Sequence, residues 1–195
     1  MSENLKVLHV LPTLKKDGAE VQFANLLLEI KNTEIDVFTF DLYEKGDSIR
    51  PMLKNNNLFF KNSVFYLKKI IDQNNYDIVH SHLPKADLLV GLLSVFNKKF
   101  KHIVSVHAKY GTRKEESKIK YLFSNFFWKR ILNNSSGVIA ISKSIYDWLV
   151  EEKHIDHNLI KTIYYGVKIK EREQKVSNQN TIGMAARILP WKGFD

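Results

Sequence analysis

Three histidines lie at positions in this sequence where an α/β protein could carry out chemistry. His80 and His82 close the segment "YDIVHSH" at i, i+2 spacing, and His107 closes the apolar part of "KHIVSVHA". Alternate residues of a strand share a face, so His80 and His82 point the same way. Near neutral pH an imidazole can donate a hydrogen bond, transfer a proton or ligate a metal. The three could form a zinc site, but such a site needs a defined third ligand and second shell, so hydrogen-bonded histidines are the favoured interpretation.

A second candidate is the loop "PTLKKDGAE", which follows the first apolar run. It carries Lys15 and Lys16 and places Gly18 at the start of a predicted helix. Asp17 and Glu20 have the spacing of a capping box at that start. Free N–H groups at a helix N-terminus can hold a phosphate, although the same residues also suit an ordinary helix-start turn. The loop lacks G-x-G-x-x-G spacing, which argues against a dinucleotide-binding dehydrogenase.

The elements that must position these residues alternate along the chain. Compact apolar runs, typical of buried parallel strands, are followed by stretches of helical periodicity. The predicted strands cover residues 5–11, 35–41, 76–82, 101–108, 137–142 and 160–166, and the predicted helices cover 19–30, 63–73, 85–96, 117–132 and 143–152. This alternation predicts an α/β fold with a parallel sheet and helices on both faces. Ligands of such a sheet bind outside the carboxyl ends of its strands, which is where the three histidines and the Gly18 loop fall.

Composition and charge narrow the class of protein. With 44% hydrophobic residues the chain can bury a core, and the absence of cysteine excludes disulfides and thiolate chemistry and suits the cytoplasm. The net charge of +9 favours an anionic partner: nucleic acid, a phosphorylated small molecule or acidic lipid. The aromatic and basic segment "KYLFSNFFWKR" is interpreted as a core helix, with an interfacial helix as the alternative. The longest apolar stretch is too short to span a bilayer.

The composition changes after Gly166. Residues 167–180, "VKIKEREQKVSNQN", are charged and polar without apolar periodicity, which is typical of a linker. The run "TIGMAAR" then restores a strand pattern. The predicted organisation is therefore one domain over residues 1–166, a linker over 167–180 and, over 181–195, the first strand and turn of a second domain.

Taken in order, these segments resemble the N-terminal half of a retaining nucleotide-sugar glycosyltransferase of family 4, which has the GT-B fold. The resemblance rests on "KVLHVLPTLKKDGAE", "YDIVHSHLPKADLLVGL", "IVSVHA", "GVIAISKSIYDWL", "IKTIYYGV" and "IGMAARILPWKGFD". It implies two Rossmann-like domains facing each other across a cleft, with the acceptor mainly on the N-terminal domain and the donor on the C-terminal one. This chain would supply the first domain, and by itself it would not turn over.

The resemblance also implies roles for individual residues. The backbone near Gly18 would approach the donor phosphates, and His107 would lie beside the transferring sugar as the catalytic residue. Arg187 and Lys192 would clamp the diphosphate leaving group. Two fixed cations and a helix N-terminus stabilise the charge on a departing diphosphate most in the transition state, so no metal or other cofactor is expected.

The partners follow from the same resemblance. His80 and His82 would line the cleft that holds a nucleotide-diphosphate sugar and a glycan or lipid-linked acceptor, in the synthesis of a cell-surface polysaccharide. An anionic surface on the inner face of the cell membrane is a further expected partner, which Lys68 and Lys69 would contact, and nucleic acid is not expected. Two alternatives stay open: a nucleotide-sugar 2-epimerase of the same fold, and a non-catalytic domain that binds a glycan or a protein partner.

Overall fold

The computed structural model describes residues 5–31, 33–44, 46–110 and 118–167. The predicted second domain, with Arg187 and Lys192, lies outside the described residues, as does the predicted linker apart from Val167. The predicted domain boundaries and the roles of these two cations therefore stay predictions.

A parallel sheet forms the centre of the molecule. Its strands are β1 Lys6–Leu11, β2 Glu34–Thr39, β3 Asn57–Phe60, β4 Ile78–His82, β5 Lys101–Val106, β6 Gly137–Ala140 and β7 Ile160–Thr162. They lie side by side in the order β3-β2-β1-β4-β5-β6-β7 and every described pairing is parallel. Strands β2 and β3 are thus added on one side of β1. The chain then crosses back and adds β4, β5, β6 and β7 on the other side. Ligands of doubly wound sheets bind at such a reversal, which here falls between β1 and β4.

Within the described residues, five α-helices connect the strands: α1 Gly18–Glu29, α2 Val64–Asn74, α3 Pro84–Phe96, α4 Lys118–Asn134 and α5 Lys143–Glu151, with short 3-10 turns at Arg50–Leu53 and His157–Leu159. The predicted α/β class, the parallel sheet, six of the strands and all five helices are confirmed. Strand β3 was missed, because it has four residues and none of them is fully buried. A short, half-exposed edge strand carries too little hydrophobic pattern to be recognised.

Apolar residues on both faces of β1 are buried, as expected for a strand that is apolar apart from Lys6 and His9. Leu8 and Val10 pack into a core with Val79 of β4 and Val90 of α3. Leu11 belongs to a second core on the side of α1, whose buried residues there are Phe23, Ala24 and Leu27. The sheet is thus held between helices, and its carboxyl edge is where polar side chains can gather.

A third core joins β5 and β6 to helices α4 and α5. Trp128 of α4 packs against Trp148 of α5, with ring centroids 6.0 Å apart. The interpretation of α4 as a core helix holds for Trp128 and Leu132, which are buried, but is wrong for Phe126 and Phe127, which are largely exposed. One turn of this helix therefore presents aromatic rings to solvent.

Helices α3 and α4 approach closely at Gly91. A Cβ placed on Gly91 would lie 2.4 Å from Cγ2 of Ile131, well inside van der Waals contact. Glycine is needed here for packing, because the Ile131 side chain fills the space that any other residue would use.

No helix in the described part of the chain is long and apolar enough to cross a membrane.

Candidate functional site

The carboxyl ends of β1, β4 and β5 form one polar edge beneath the start of α1. Strand β4 ends at His82, and His107 directly follows the last residue of β5. The loop after β1 leads to Gly18, the first residue of α1. Because β1, β4 and β5 are parallel neighbours, the topology brings the predicted histidines to the edge from which α1 begins.

Hydrogen bonds join three histidines and a tyrosine into a row, called here the histidine chain: His9, His82, His107 and Tyr165. Nδ1 of His9 lies 3.0 Å from Nε2 of His82. Nδ1 of His82 lies 3.1 Å from Nε2 of His107. Nδ1 of His107 in turn contacts the Tyr165 hydroxyl. The histidine chain runs from the buried interior of β1 to the exposed segment that follows β7.

His80 lies beside the histidine chain without joining it. Its Nε2 is 2.8 Å from Oγ of Ser105, and its ring stacks on His82 with centroids 4.4 Å apart. The two predicted cleft residues therefore differ: His82 bonds to His107, whereas His80 supports the ring of His82 from the side.

Burial keeps these imidazoles neutral. Loss of solvent lowers the pKa of His9 to about 3 and that of His107 to about 4. Burial first, and then the neighbouring histidines, hold the pKa values of His80 and His82 well below their usual range. A neutral imidazole has one N–H donor and one acceptor nitrogen, so each can pass a hydrogen bond on to the next.

A metal ion is the other group that converging imidazoles can hold. Ring nitrogens of His9, His80 and His82 lie within 4.8 Å of one another, so His9 takes the place of His107 in the trio considered from the sequence. The His9 and His82 nitrogens, however, already face each other at hydrogen-bond distance, and Nε2 of His80 is paired with Ser105. Hydrogen bonding accounts for these contacts of the His9, His80 and His82 nitrogens.

The start of α1 offers open space above this edge. Asp17 is the N-cap residue, but its side chain makes no capping hydrogen bond; its carboxylate lies 3.3 Å from Nζ of Lys15. The capping-box spacing therefore marks the correct start of α1, but Asp17 does not make the capping hydrogen bond. A Cβ on Gly18 would meet no atom within 4 Å, so packing in the described chain does not require glycine there.

The first turns of α1 also contact the histidine chain. The ring of Phe23 lies 5.0 Å from that of His9 and 5.1 Å from that of His82, centroid to centroid. Glu20, predicted as the acidic half of a capping box, is instead buried, and its burial raises the pKa of the carboxyl group. An ionisable carboxyl group, a helix N-terminus and the histidine chain thus share one side of the sheet.

A second polar network lies deeper and ties β4, α3, β5 and α4 together. The Ser81 hydroxyl donates to Asp87 at 2.7 Å and pairs with Nε2 of His102 at 2.9 Å, while the indole N–H of Trp128 donates to Asp87 at 3.0 Å. All four residues are buried. Serine, histidine and aspartate are also the residue types of a nucleophilic catalytic triad. Here, however, Ser81 is hydrogen-bonded to both Asp87 and His102, and its burial closes it to any substrate. We assign it a structural role.

Sequence reasoning missed two members of the histidine chain. His9 lies inside the apolar run "LKVLHVL" and was counted as part of a buried strand. Its one signal was a polar residue in an otherwise apolar strand, which needs a hydrogen-bond partner when buried. For Tyr165 the sequence predicts only a strand residue, because its contact with His107 spans 58 positions and no local pattern could indicate it.

Comparison with known proteins gives a consistent picture. The family model described as Glycosyltransferase Family 4 matches residues 7–171. An uncharacterized glycosyltransferase of Methanocaldococcus jannaschii is 26% identical over 186 residues, which cover 91% of this chain and 51% of that protein. The chain therefore spans about half the length of this relative.

Solved structures share the fold. The Anabaena protein HepE in complex with UDP-glucose superimposes with a TM-score of 0.67 at 17% identity, covering 84% of this chain and 44% of HepE. The UDP-GlcNAc 2-epimerase of Methanocaldococcus jannaschii superimposes with a TM-score of 0.55 at 14% identity, covering 81% of this chain and 45% of the epimerase. At these identities the likeness concerns the fold alone.

Proposed function

Since this chain belongs to glycosyltransferase family 4, we propose that it forms the acceptor-side domain of a retaining transferase. That enzyme moves a hexosyl group from a nucleotide-diphosphate sugar to a glycan or lipid-linked acceptor. The observation that carries the proposal is the placement of His107 at the sheet edge from which α1 rises, with open space at Gly18. The HepE complex with UDP-glucose supports a nucleotide sugar as the ligand class.

In the proposed chemistry, hydrogen-bond donors and cations stabilise the charge that develops on the leaving group. As the glycosidic bond breaks, the departing nucleoside diphosphate gains negative charge. The free N–H groups near Gly18 would stabilise that charge, and Arg187 and Lys192 would add two cations. His107, kept neutral by burial, would bind a hydroxyl of the transferring sugar beside them. The scheme uses no metal.

The 195-residue chain is proposed to bind ligand without turning over. Donor binding in this fold draws on two domains, and the chain spans about half the length of its relative from Methanocaldococcus jannaschii. Release of UDP from UDP-glucose by this chain with a glycan acceptor would contradict this part of the proposal.

Binding can be tested on the chain as it is. We expect millimolar UDP-glucose to shift the backbone NMR signals of Gly18 and His107, because both lie on the proposed cleft. His107→Ala should weaken this binding, whereas His157→Ala, which alters an exposed histidine far along the chain, should not. Shifts confined to other parts of the sheet, or none, would reject the site.

A nucleotide-sugar 2-epimerase is the alternative of the same fold. The family match favours transfer, and the epimerase superimposes less closely than HepE does, with TM-scores of 0.55 and 0.67. A non-catalytic glycan-binding domain is the other alternative. It would bind an oligosaccharide while leaving the Gly18 signal unmoved by UDP-glucose.

We further propose a cytoplasmic location against the inner face of the cell membrane, where lipid-linked acceptors lie. Helix α2 would supply the contact, since Phe65 is exposed at its start and Lys68 and Lys69 follow. Lys68 already pairs with Asp72, so Lys69 would contribute more of the charge. Sedimentation with vesicles should increase with their phosphatidylglycerol content, and Lys69→Glu should reduce it. Equal binding to neutral vesicles would remove this part of the proposal.

A further inference from the structure

We propose that His82 positions His107, and that Nδ1 of His107 receives a substrate hydroxyl at the place now filled by Tyr165. This inference rests on the proposed function, in which His107 lies beside a sugar. It adds which nitrogen faces the substrate, what holds the ring, and what must move aside.

Both nitrogens of His107 are already engaged, but by partners of different kinds. Nε2 points inward to His82, which is 3% exposed. Nδ1 points outward to the hydroxyl of Tyr165, which is 38% exposed. Tyr165 belongs to a segment whose neighbours Ile163 and Val167 are also exposed. A ligand arriving from solvent can therefore replace Tyr165 and cannot reach the bond to His82.

The ring of His82 is held from several sides, so its bond to His107 has a fixed direction. His80 stacks on it with centroids 4.4 Å apart and an interplanar angle of 27°, and Phe23 lies 5.1 Å away. His9 occupies its other nitrogen at 3.0 Å. A ring anchored in this way presents a single nitrogen to His107, which is what orienting a partner imidazole requires.

Because each neutral imidazole has one N–H and one acceptor nitrogen, all hydrogen bonds of the histidine chain must run in the same direction. If His9 donates to His82, then His82 donates to His107 and Nδ1–H of His107 donates outward. If Tyr165 donates inward, every bond reverses, and Nδ1 of His107 becomes an acceptor. Each arrangement leaves all three imidazoles neutral. Conversion of the first into the second moves one proton within each of the three hydrogen bonds, adds a proton to Nε2 of His9 and removes one from the Tyr165 hydroxyl. A hydroxyl that replaces Tyr165 can thus be met by either a donor or an acceptor.

The tautomers can be measured without any ligand. In ¹⁵N-histidine-labelled chain, NMR correlations between ring protons and both ring nitrogens identify the protonated nitrogen of each imidazole. In the wild type, one and only one of His82 Nδ1 and His107 Nε2 should carry a proton. Two protonated or two unprotonated nitrogens at this contact would overturn the proposal without any variant.

Two substitutions distinguish the roles of the two ring nitrogens of His82. The side-chain amide of asparagine reaches the place of an imidazole Nδ1, whereas that of glutamine reaches the place of Nε2. His82→Asn should keep the bond to His107 and its tautomer, while His82→Gln should lose them and average the two His107 nitrogen signals. His102→Gln is the matched control, because His102 is a buried histidine of the same sheet whose Nε2 pairs with Ser81, and it should leave His107 unchanged. An effect of His102→Gln equal to that of His82→Gln would mean general packing and would reject a specific positioning role.

The proposed displacement of Tyr165 from His107 is tested by adding UDP-glucose as the probe. UDP-glucose should move the His107 Nδ1 signal, and Tyr165→Phe, which removes the competing hydroxyl, should bind it several-fold more tightly. If the tautomers follow the pattern above but UDP-glucose leaves Nδ1 unmoved, the proposed function fails while positioning by His82 stands. Stoichiometric zinc in the purified chain would show that the nitrogens are ligands, and would overturn the hydrogen-bonded chain.

Discussion

Nδ1 of His9 lies 3.0 Å from Nε2 of His82, although 73 positions separate the two residues in the sequence. Parallel pairing of β1 with β4 creates this contact, with His9 opposite His80 in the register. The distance is therefore set by the sheet, and the histidine chain depends on the docking of its two central strands. Substitutions that disturb the docking of β1 on β4 should therefore affect both the histidine chain and the stability of the fold.

Gly18→Ala should separate ligand binding from stability. Nothing within 4 Å would meet the added methyl group, and alanine favours helix more than glycine by up to about 1 kcal/mol, so the free energy of unfolding should be unchanged or slightly higher. The methyl group would occupy space proposed for phosphate, so affinity for UDP-glucose should fall about tenfold, ~1.4 kcal/mol. Gly166→Ala, also in open space, is the control. Equal affinity in all three proteins would remove Gly18 from the site.

Gly91→Ala should destabilise the fold despite the better helix propensity of alanine. Its Cβ would lie 2.4 Å from Cγ2 of Ile131, and overpacking of this kind costs roughly 1–3 kcal/mol. Denaturant unfolding of Gly91→Ala, Ile131→Ala and the double variant measures the coupling. The double variant should be more stable than the two single effects predict, and simple additivity would contradict the contact.

Acid should unfold this protein through its histidines. Burial depresses the folded pKa of His9 to about 3 and those of His102 and His107 to about 4, against 6.5 for the unfolded chain. Between pH 6.5 and pH 4 the unfolded state binds more protons, so the free energy of unfolding is highest above pH 6.5 and falls as pH decreases. Urea midpoints at pH 7.5 and 4.5 measure this slope. His102→Gln should flatten it and His157→Gln should not.

Asp87 should act in the opposite direction. Burial raises its folded pKa to about 7 from 3.8, outweighing its hydrogen bonds from Trp128 and Ser81. The folded state therefore holds a proton that the unfolded state has lost, and this contribution is present at low pH and disappears as pH rises through 7. Asp87→Asn does not titrate, so its stability relative to wild type should improve from pH 5 to pH 8. A constant difference between the two proteins would show that Asp87 is ionised throughout.

The fold could be predicted from the sequence because parallel strands that are buried on both faces have nearly continuous apolar sequences. That rule located β1 and β4, and it failed at β3, whose residues are only partly buried. The placement of His82 and His107 at strand ends followed from topology. The partners of each nitrogen did not, since His9 was hidden in a core strand and Tyr165 meets His107 from a distant segment. Glu20 shows the same limit: its spacing suggested a cap, while packing buried it.

The strand order also constrains how the chain can fold during its synthesis. Strand β1 pairs with β2 soon after both emerge, but its other edge waits for β4, whose last residue is His82. Until then the growing polypeptide exposes an unpaired strand edge at what becomes the middle of the sheet, the kind of surface that invites aggregation. Docking of β4 closes that edge and brings His82 against His9. The first contact of the histidine chain therefore forms at the step that removes this aggregation-prone edge from the nascent domain.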